Sequence, residues 1–471
     1  MARLLLYLSL FCLVLLGCDR PKTLSSLERE TNVITQSSNE PFYIGGIHVN
    51  ESSTENWLNT LEEVGMNTTE VTVYGKQWLW NTDDLEFDKD DEIQGQINEI
   101  RLAKKKGLKV VVILRTQLQH WFKQNRFLWH GMIMPKNDSL LLSWFEKYTA
   151  YNLKWAKICE EEGVDVMAIG SEMNALSSTM PLTSIPWQYH YYNSSWGLTF
   201  FEERILKYKK TLQDKHLWIQ GYTVDKNGED WLEKYVEDKI TKFRFWGNQV
   251  SFASEENRLE KLNQRRALMK KSWVKLIQKV RTLYNGKLTY AANYDNYHEV
   301  DFWEHLDFIG INAYFPLRKP SDELPPTNEL LANFEENWRN VFKEINSFKK
   351  KHHLSEKPLL FTELGYTNYL NATVESWSGS GFTILGLWPH EKLVVWKEQE
   401  MCSEERYLAI KALKNVFDSY PTNLQGILYW KLTTHEYLLR EESFSLYIQN
   451  PPKDPLQDIL TNFITKEPTT K

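Results

Sequence analysis

"VDVMAIGSEMNAL", residues 164–176, opens as a buried strand and closes on a carboxylate. From Val164 to Gly170 the side chains are almost all apolar or small, without the polar/apolar alternation of a half-exposed strand. A run of that kind is expected for a parallel strand covered on both faces. It ends in Ser171 and then Glu172. If Glu172 points into the mouth of a barrel, simple alternation turns Gly170 and Ala168 inward too, leaving room for a ligand. "FTELGY", residues 361–366, repeats the design: Leu359-Leu360-Phe361 hands over through Thr362 to Glu363.

Six further runs read as strands: Tyr43–Val49, Thr68–Tyr74, Lys109–Arg115, Lys287–Asn293, Phe308–Tyr314 and Gly426–Trp430. With Val164–Gly170 and Leu359–Thr362 they make eight. Helical stretches such as Asp90–Lys106, Leu140–Glu162 and Asn328–His352 separate them. Eight strand–helix units predict an α/β fold, a (β/α)8 TIM barrel over residues 41–460. In such a barrel both glutamates stand at C-terminal strand ends, the end that carries catalytic groups. Glu172 and Glu363 are 191 residues apart, whereas three strand–helix units need only about 90. The excess is expected in a long insertion after strand 4, at about 177–254, before a helix over Glu255–Tyr284 with a break near Trp273. Its aromatic clusters, "IPWQYHYYNSSWG" and "FRFWGNQ", either wall a cleft or pack a small subdomain of their own.

The N-terminus reads as a targeting segment. Arg3 precedes an apolar run from Leu4 to Leu16, too short to span a bilayer but of signal-peptide length. It ends in Leu15-Leu16-Gly17-Cys18, which is similar to a bacterial lipobox. Residues 1–17 are expected to be a lipoprotein signal peptide, Cys18 the lipidated residue, and 18–40 a flexible tether. This predicts an exported lipoprotein, anchored to a membrane of the bacterial cell envelope. Residues 1–17 carry one charged side chain, Arg3; without it 55 basic and 62 acidic side chains remain of the 56 and 62 in the whole chain. That acidic balance, with no basic block interleaved with aromatics, excludes nucleic acid as an expected partner. No metal-ligand spacing and no Gly-rich phosphate loop occur, so no metal and no cofactor are expected. The expected state is a monomer. Cys159 and Cys402 are left to pair or not. The 19 Trp, 23 Tyr and 22 Phe suit stacking on flat ligands such as sugars, although an aromatic core accounts for most of them.

Two carboxylates at the top of one barrel are the minimum equipment for hydrolysing a glycosidic bond. One acid protonates the departing oxygen and needs a raised pKa; the other is ionised and attacks the anomeric carbon. A separation of about 5–5.5 Å gives retention of configuration, and a wider gap admits water and gives inversion. Opposed strands 4 and 7 point to the shorter distance.

"IGSEMNAL", "LTYAANYDNY", "DFIGINAYFPL", "FTELGY" and "GILYWKL" together resemble clan-A glycoside hydrolases, and among them glycoside hydrolase family 113, known for β-1,4-mannanase activity. The resemblance spans roughly residues 41–175 and 255–445, is firmest in strands 5 and 6, and leaves the insertion uncovered. It implies Glu172 as general acid/base, Glu363 as nucleophile, and a β-linked, mannan-like polysaccharide or oligosaccharide as substrate. Trp430 resembles the clan's platform under the reacting sugar, and Tyr314 is placed to hold the nucleophile ionised. Many clan members have Asn before the acid/base to meet the sugar 2-OH; here Ser171 stands there, with a shorter reach. Asn293 and Asn312, polar and at strand ends, are expected to bind sugar hydroxyls. Arg115 is expected to orient a carboxylate or touch substrate. "FLWHGMI" (127–133) brings Trp129 and His130 toward a subsite, His48 reads as structural, and Tyr366 and Tyr369 are expected on the rim, with Gly365 turning the chain away. The competing reading is a surface lipoprotein that binds glycans without cleaving them; it gives no reason for two matched glutamates.

Overall fold

In the computed structural model the described residues are 41–464, apart from 92, 120, 123–124, 126–129, 178–216, 220–221, 224–257, 320–323, 375, 378–381, 389–390, 398–399 and 441. The segment 1–40, with Cys18, Trp129 and most of the 177–254 insertion lie outside them.

Eight strands follow the predicted order: β1 (Tyr43–His48), β2 (Thr68–Gln77), β3 (Lys109–Leu118), β4 (Val166–Ser171), β5 (Lys287–Asn293), β6 (Ile309–Asn312), β7 (Leu359–Leu364) and β8 (Leu424–Thr433). Each pairs in parallel with the next, and β8 pairs with β1, so the sheet closes into a barrel. This is the (β/α)8 TIM barrel. Between β5 and β6 the crossover is made by two short 3-10 turns, Tyr297–Glu299 and Trp303–His305. The helix Arg258–Arg281 runs unbroken through Trp273, where a break was expected. Trp273 is fully buried and donates its indole N–H to the Leu176 carbonyl, 2.8 Å away, so a bulky aromatic marks a helix–barrel contact and not a helix end.

Alternation along the strands divides the core into two layers. Tyr43, Val111, Ile113, Val166, Ala168, Ala291, Phe308, Leu360 and Leu428 fill the barrel axis. Val110, Val112, Leu114, Met167, Ile169 and Phe361 face outward into a larger core beneath the helices. The fully buried Trp144, Trp155 and Trp338 belong to that outer layer, so they pack the fold and do not stack on ligands. The thiols of Cys159 and Cys402 are free, which answers the pairing question.

The extra chain is not confined to the loop after β4. Two short strands there, Leu217–Ile219 and Tyr222–Thr223, join a hairpin that follows β7, Phe382–Trp388 and Glu391–Lys397, in a four-stranded antiparallel sheet. Length arithmetic between the two glutamates could not see the hairpin, because it begins beyond Glu363.

Candidate active site

The phase of each strand decides what reaches the mouth. On β3, Val111 and Ile113 face the axis and Arg115 follows in the same phase. On β4 and β7 strict alternation fails, and it fails at the same place. Ala168 pairs with Thr289 but Ser171 with Ala291, so β4 holds one residue more than β5 over that interval. Phe361 pairs with Ile311 but Glu363 with Asn312, so β7 likewise gains one on β6. Such bulges re-aim side chains at barrel rims. Here they turn both members of each hydroxyl–acid pair, Ser171 with Glu172 and Thr362 with Glu363, toward the mouth. The expectation for Gly170 is therefore corrected. A Cβ on it would meet the Tyr148 hydroxyl at 3.2 Å, Tyr290 at 3.2 Å and Trp273 at 3.3 Å, all in the outer layer. The bulge has reversed its phase, and Gly170 is small because helix side chains press on it.

Asn312 joins the two acids. Its Nδ2 donates to Glu172 Oε1 at 2.9 Å and to Glu363 Oε1 at 2.8 Å. The two oxygens are therefore no further apart than the sum of those distances, 5.7 Å. The two N–H bonds of an amide diverge by about 120°, which sets the oxygens roughly 5 Å apart. The amide orientation follows from its other end, where Thr362 donates to Asn312 Oδ1 at 2.8 Å; an amide oxygen facing two carboxylates would be repelled.

Glu363, 3% exposed, accepts from three groups, one on β3 and two at the end of β6. Arg115 Nη2 lies 2.5 Å from Oε1, the Tyr314 hydroxyl donates to Oε2 at 2.6 Å, and Asn312 completes the set. Burial, with the Glu172 charge adding to it, holds the Glu363 carboxyl above the usual range against the lowering pull of Arg115 and Tyr314. Tyr314 itself is pushed well above the ordinary phenol by burial and by Glu363, so it acts as a neutral donor.

Glu172 accepts from Asn312 and shares Oε2 with His130 Nε2 at 3.1 Å. Burial raises this carboxyl, but the hydrogen bond and charge of His130, with Asn312 and Arg115, outweigh it and hold the group below the usual range. The Glu172 backbone has φ of 52°, the left-handed region that non-glycine residues rarely occupy.

The other predicted residues are also accounted for. Ser171 Oγ accepts from Arg115 Nη1 at 3.1 Å and faces Asn312 Nδ2 at 3.4 Å, which leaves its O–H to donate. Trp430 is half-buried; the Arg115 guanidinium carbon lies 5.0 Å from its ring centre and Lys431 Nζ 4.6 Å. Asn293 stands in register with Asn312, and its Oδ1 is buried with no hydrogen-bond partner among the described residues. His48 meets Glu99 at 3.6 Å and packs edge-on against Trp57. Tyr366 is not on the rim: it is fully buried and donates to the Phe315 carbonyl at 3.1 Å. Gly365 is required for a close approach and not for a turn, since a Cβ there would fall 2.2 Å from the Trp430 carbonyl.

Glu70 is the residue that strand-end reasoning missed. It is 1% exposed, on β2, and its Oε1 takes Thr72 Oγ1 at 3.0 Å and Arg115 Nη2 at 3.3 Å. The signal was in "TTEVTVY": Val71 and Val73 alternate with Glu70, Thr72 and Tyr74, which puts an acid on the face opposite the valines.

The family model described as Glycoside Hydrolase Family 113 matches residues 46–180 and 260–383, more than half of the chain. No curated protein matches the sequence. Among solved structures, the GH113 β-mannanase AaManA from Alicyclobacillus acidocaldarius, in complex with ManMIm, is similar at 16% identity and TM-score 0.53, covering 90% of this chain and 98% of its own. A second GH113 β-1,4-mannanase, also solved as a complex, aligns at 15% identity and TM-score 0.52 over 91% of this chain and 100% of its own. At these identities the two likenesses speak to the fold.

Proposed function

Since the chain belongs to glycoside hydrolase family 113 and is therefore a glycoside hydrolase, we propose that it cleaves a β-1,4-mannan-like polysaccharide with retention of configuration, using Glu363 as nucleophile and Glu172 as acid/base. The observation that carries this reading is the single Asn312 amide bonded to both acids, because a spacing of roughly 5 Å excludes a water between carboxylate and sugar and belongs to the double-displacement geometry.

In the first step Glu363 attacks the anomeric carbon while Glu172 gives its proton to the departing oxygen, forming a glycosyl ester on Glu363. In the second, Glu172 takes a proton from water, the water oxygen bonds to the anomeric carbon, and Glu363 leaves as a carboxylate. Catalysis needs the proton on Glu172 and the charge on Glu363, the reverse of the tendency that the protein's own groups set. The substrate supplies the reversal. A sugar ring over Glu172 strips it of water and draws it from His130, which sits on a short turn, His130–Met132, and not on a strand. Both changes favour the acid form. The donors on Glu363 come from the barrel and stay.

Support for a polymeric substrate comes from the same end of the barrel. Beyond β3, Trp121 is 73% exposed and stacks on Trp78, with ring centres 5.7 Å apart and 21° between planes. Flat apolar faces of this kind pack against sugar rings. Following the anomeric proton by NMR while the protein digests a β-1,4-mannan tests the proposal. The first product should be the β anomer, relaxing later to the equilibrium mixture; an initial α anomer, or no cleavage, would sink it.

A further inference from the structure

We propose that Glu70 is a positioning residue for this reaction, one that shares Arg115 with Glu363 and thereby governs how much of the guanidinium charge reaches the nucleophile. The inference rests on Glu363 being that nucleophile. Its basis is one nitrogen with two claimants. Arg115 Nη2 lies 2.5 Å from Glu363 Oε1 and 3.3 Å from Glu70 Oε1, while Nη1 is committed to Ser171. Three carboxylates, Glu70, Glu172 and Glu363, therefore surround one buried cation.

Burying that much negative charge is unfavourable, and the acid with a buried oxygen that no donor serves yields first. That acid is Glu70. Thr72 and the longer Arg115 contact serve its Oε1, and Oε2 is buried with no hydrogen-bond partner among the described residues. Burial, opposed by Arg115 and assisted by Glu363, pushes its carboxyl up to about 7. Arg115 stays protonated, because Glu363 and Glu70 outweigh the effect of its burial. Below neutral pH Glu70 is thus a neutral acceptor that steadies Arg115, and the full charge serves Glu363. Above it, Glu70 ionises and becomes a second claimant.

The surrounding titratable groups leave Glu70 in that position. Tyr74, on the same strand, is itself raised by burial and stays neutral through this range. Arg115 faces Glu70 from β3, Glu363 from β7, and Glu172 lies across Arg115 from β4. On β1, Tyr43 lies in the apolar axis layer and His48 faces Glu99. On β8, Lys431 pairs with Glu442 at 3.2 Å.

The test is the pH profile of kcat/KM for Glu70→Gln on any β-glycan that the wild type cleaves. The amide keeps the shape and the neutral state but cannot ionise. A new negative charge near pH 7 keeps neighbouring acids protonated to higher pH, so its loss should move the alkaline limb down by about half a unit or more. The acidic limb, where Glu70 is already neutral, should stay. A purely structural role would lower the whole curve without moving either limb; that outcome, or a superimposable profile, overturns the inference. If Glu70→Gln does not fold, Thr72→Val removes only the hydroxyl donor. Glu70 should then ionise at higher pH and the alkaline limb shift the same way by less; an unmoved limb overturns the inference again. Failure of the functional reading shows separately, as a wild type that releases no product.

Discussion

The ends of β4 and β7 use one device to two effects. Each presents a hydroxyl and then a glutamate, and each inserts one extra residue there to bring both inward. Glu363 is then gripped from β3, from the end of β6 and from the second residue beyond it by Arg115, Asn312 and Tyr314. Glu172 shares only Asn312 with that frame; its second partner is a turn histidine, and its own backbone is in the left-handed region. One carboxylate is fixed by the scaffold and the other is held by a loop. That asymmetry suits a nucleophile, which must not move, and an acid/base, which must change protonation state twice in each cycle.

The comparison breaks most severely if either acid is removed. Glu363→Ala should lower kcat by a factor on the order of 10^4 or more, since neither step has a substitute nucleophile. Added azide should restore turnover through direct attack and give the α-glycosyl azide. Glu172→Ala should spare substrates with a good leaving group, such as a dinitrophenyl glycoside, because they need no protonation on departure, and azide should then give the β product. Finding the same azide anomer from both variants would show that the two ends are not different in role. A smaller loss is expected from the shared donor. Asn312→Ala removes a hydrogen bond from each acid and should cost about 10^2–10^3 in kcat, as for a single preorganised donor. Tyr314→Phe should cost less, having one acid to affect. If Tyr314→Phe proves the worse of the two in steady-state kinetics, Asn312 is not the joint between the two ends.

Much of this was legible in the sequence because parallel strands covered on both faces write themselves as unbroken apolar runs. The runs read as Lys109–Arg115 and Leu359–Thr362 could hardly be anything else, and both fall within observed strands. Glu172 and Glu363 stood out because each interrupts such a run. The bulges left no trace, since an added residue changes phase without changing composition; Gly170 was misjudged for that reason. Glu70 was overlooked because its strand does alternate, and an alternating strand with an inward acid resembles one with a solvated face. Tyr366 was misplaced because sequence gives proximity along the chain but not depth. The sheet shared by the segments after β4 and β7 is a pairing between residues some 180 positions apart, Trp218 with Trp396, for which no local signal exists.

The smallest expected effect falls on the loop side of the comparison. His130 lowers the Glu172 carboxyl through a hydrogen bond and its charge, so His130→Ala should raise it. The optimum of kcat/KM lies midway between the two acids' apparent pKa values, whichever of them is higher. Raising one member must therefore move the optimum to higher pH, by half of whatever shift Glu172 undergoes. Glu363 keeps its three donors, so it should not move in compensation. The corresponding change on the strand side has the same sign but is far more costly: Arg115→Lys weakens the cation on Glu363 and also leaves Glu70 and Ser171 without their partner. Measuring the optimum for both variants separates a loop that tunes one carboxylate from a scaffold that holds the whole cluster. An optimum that stays fixed or falls in His130→Ala would mean that His130 does not set the protonation of Glu172, and the distinction between a loop-held and a strand-held acid would lose its chemical content.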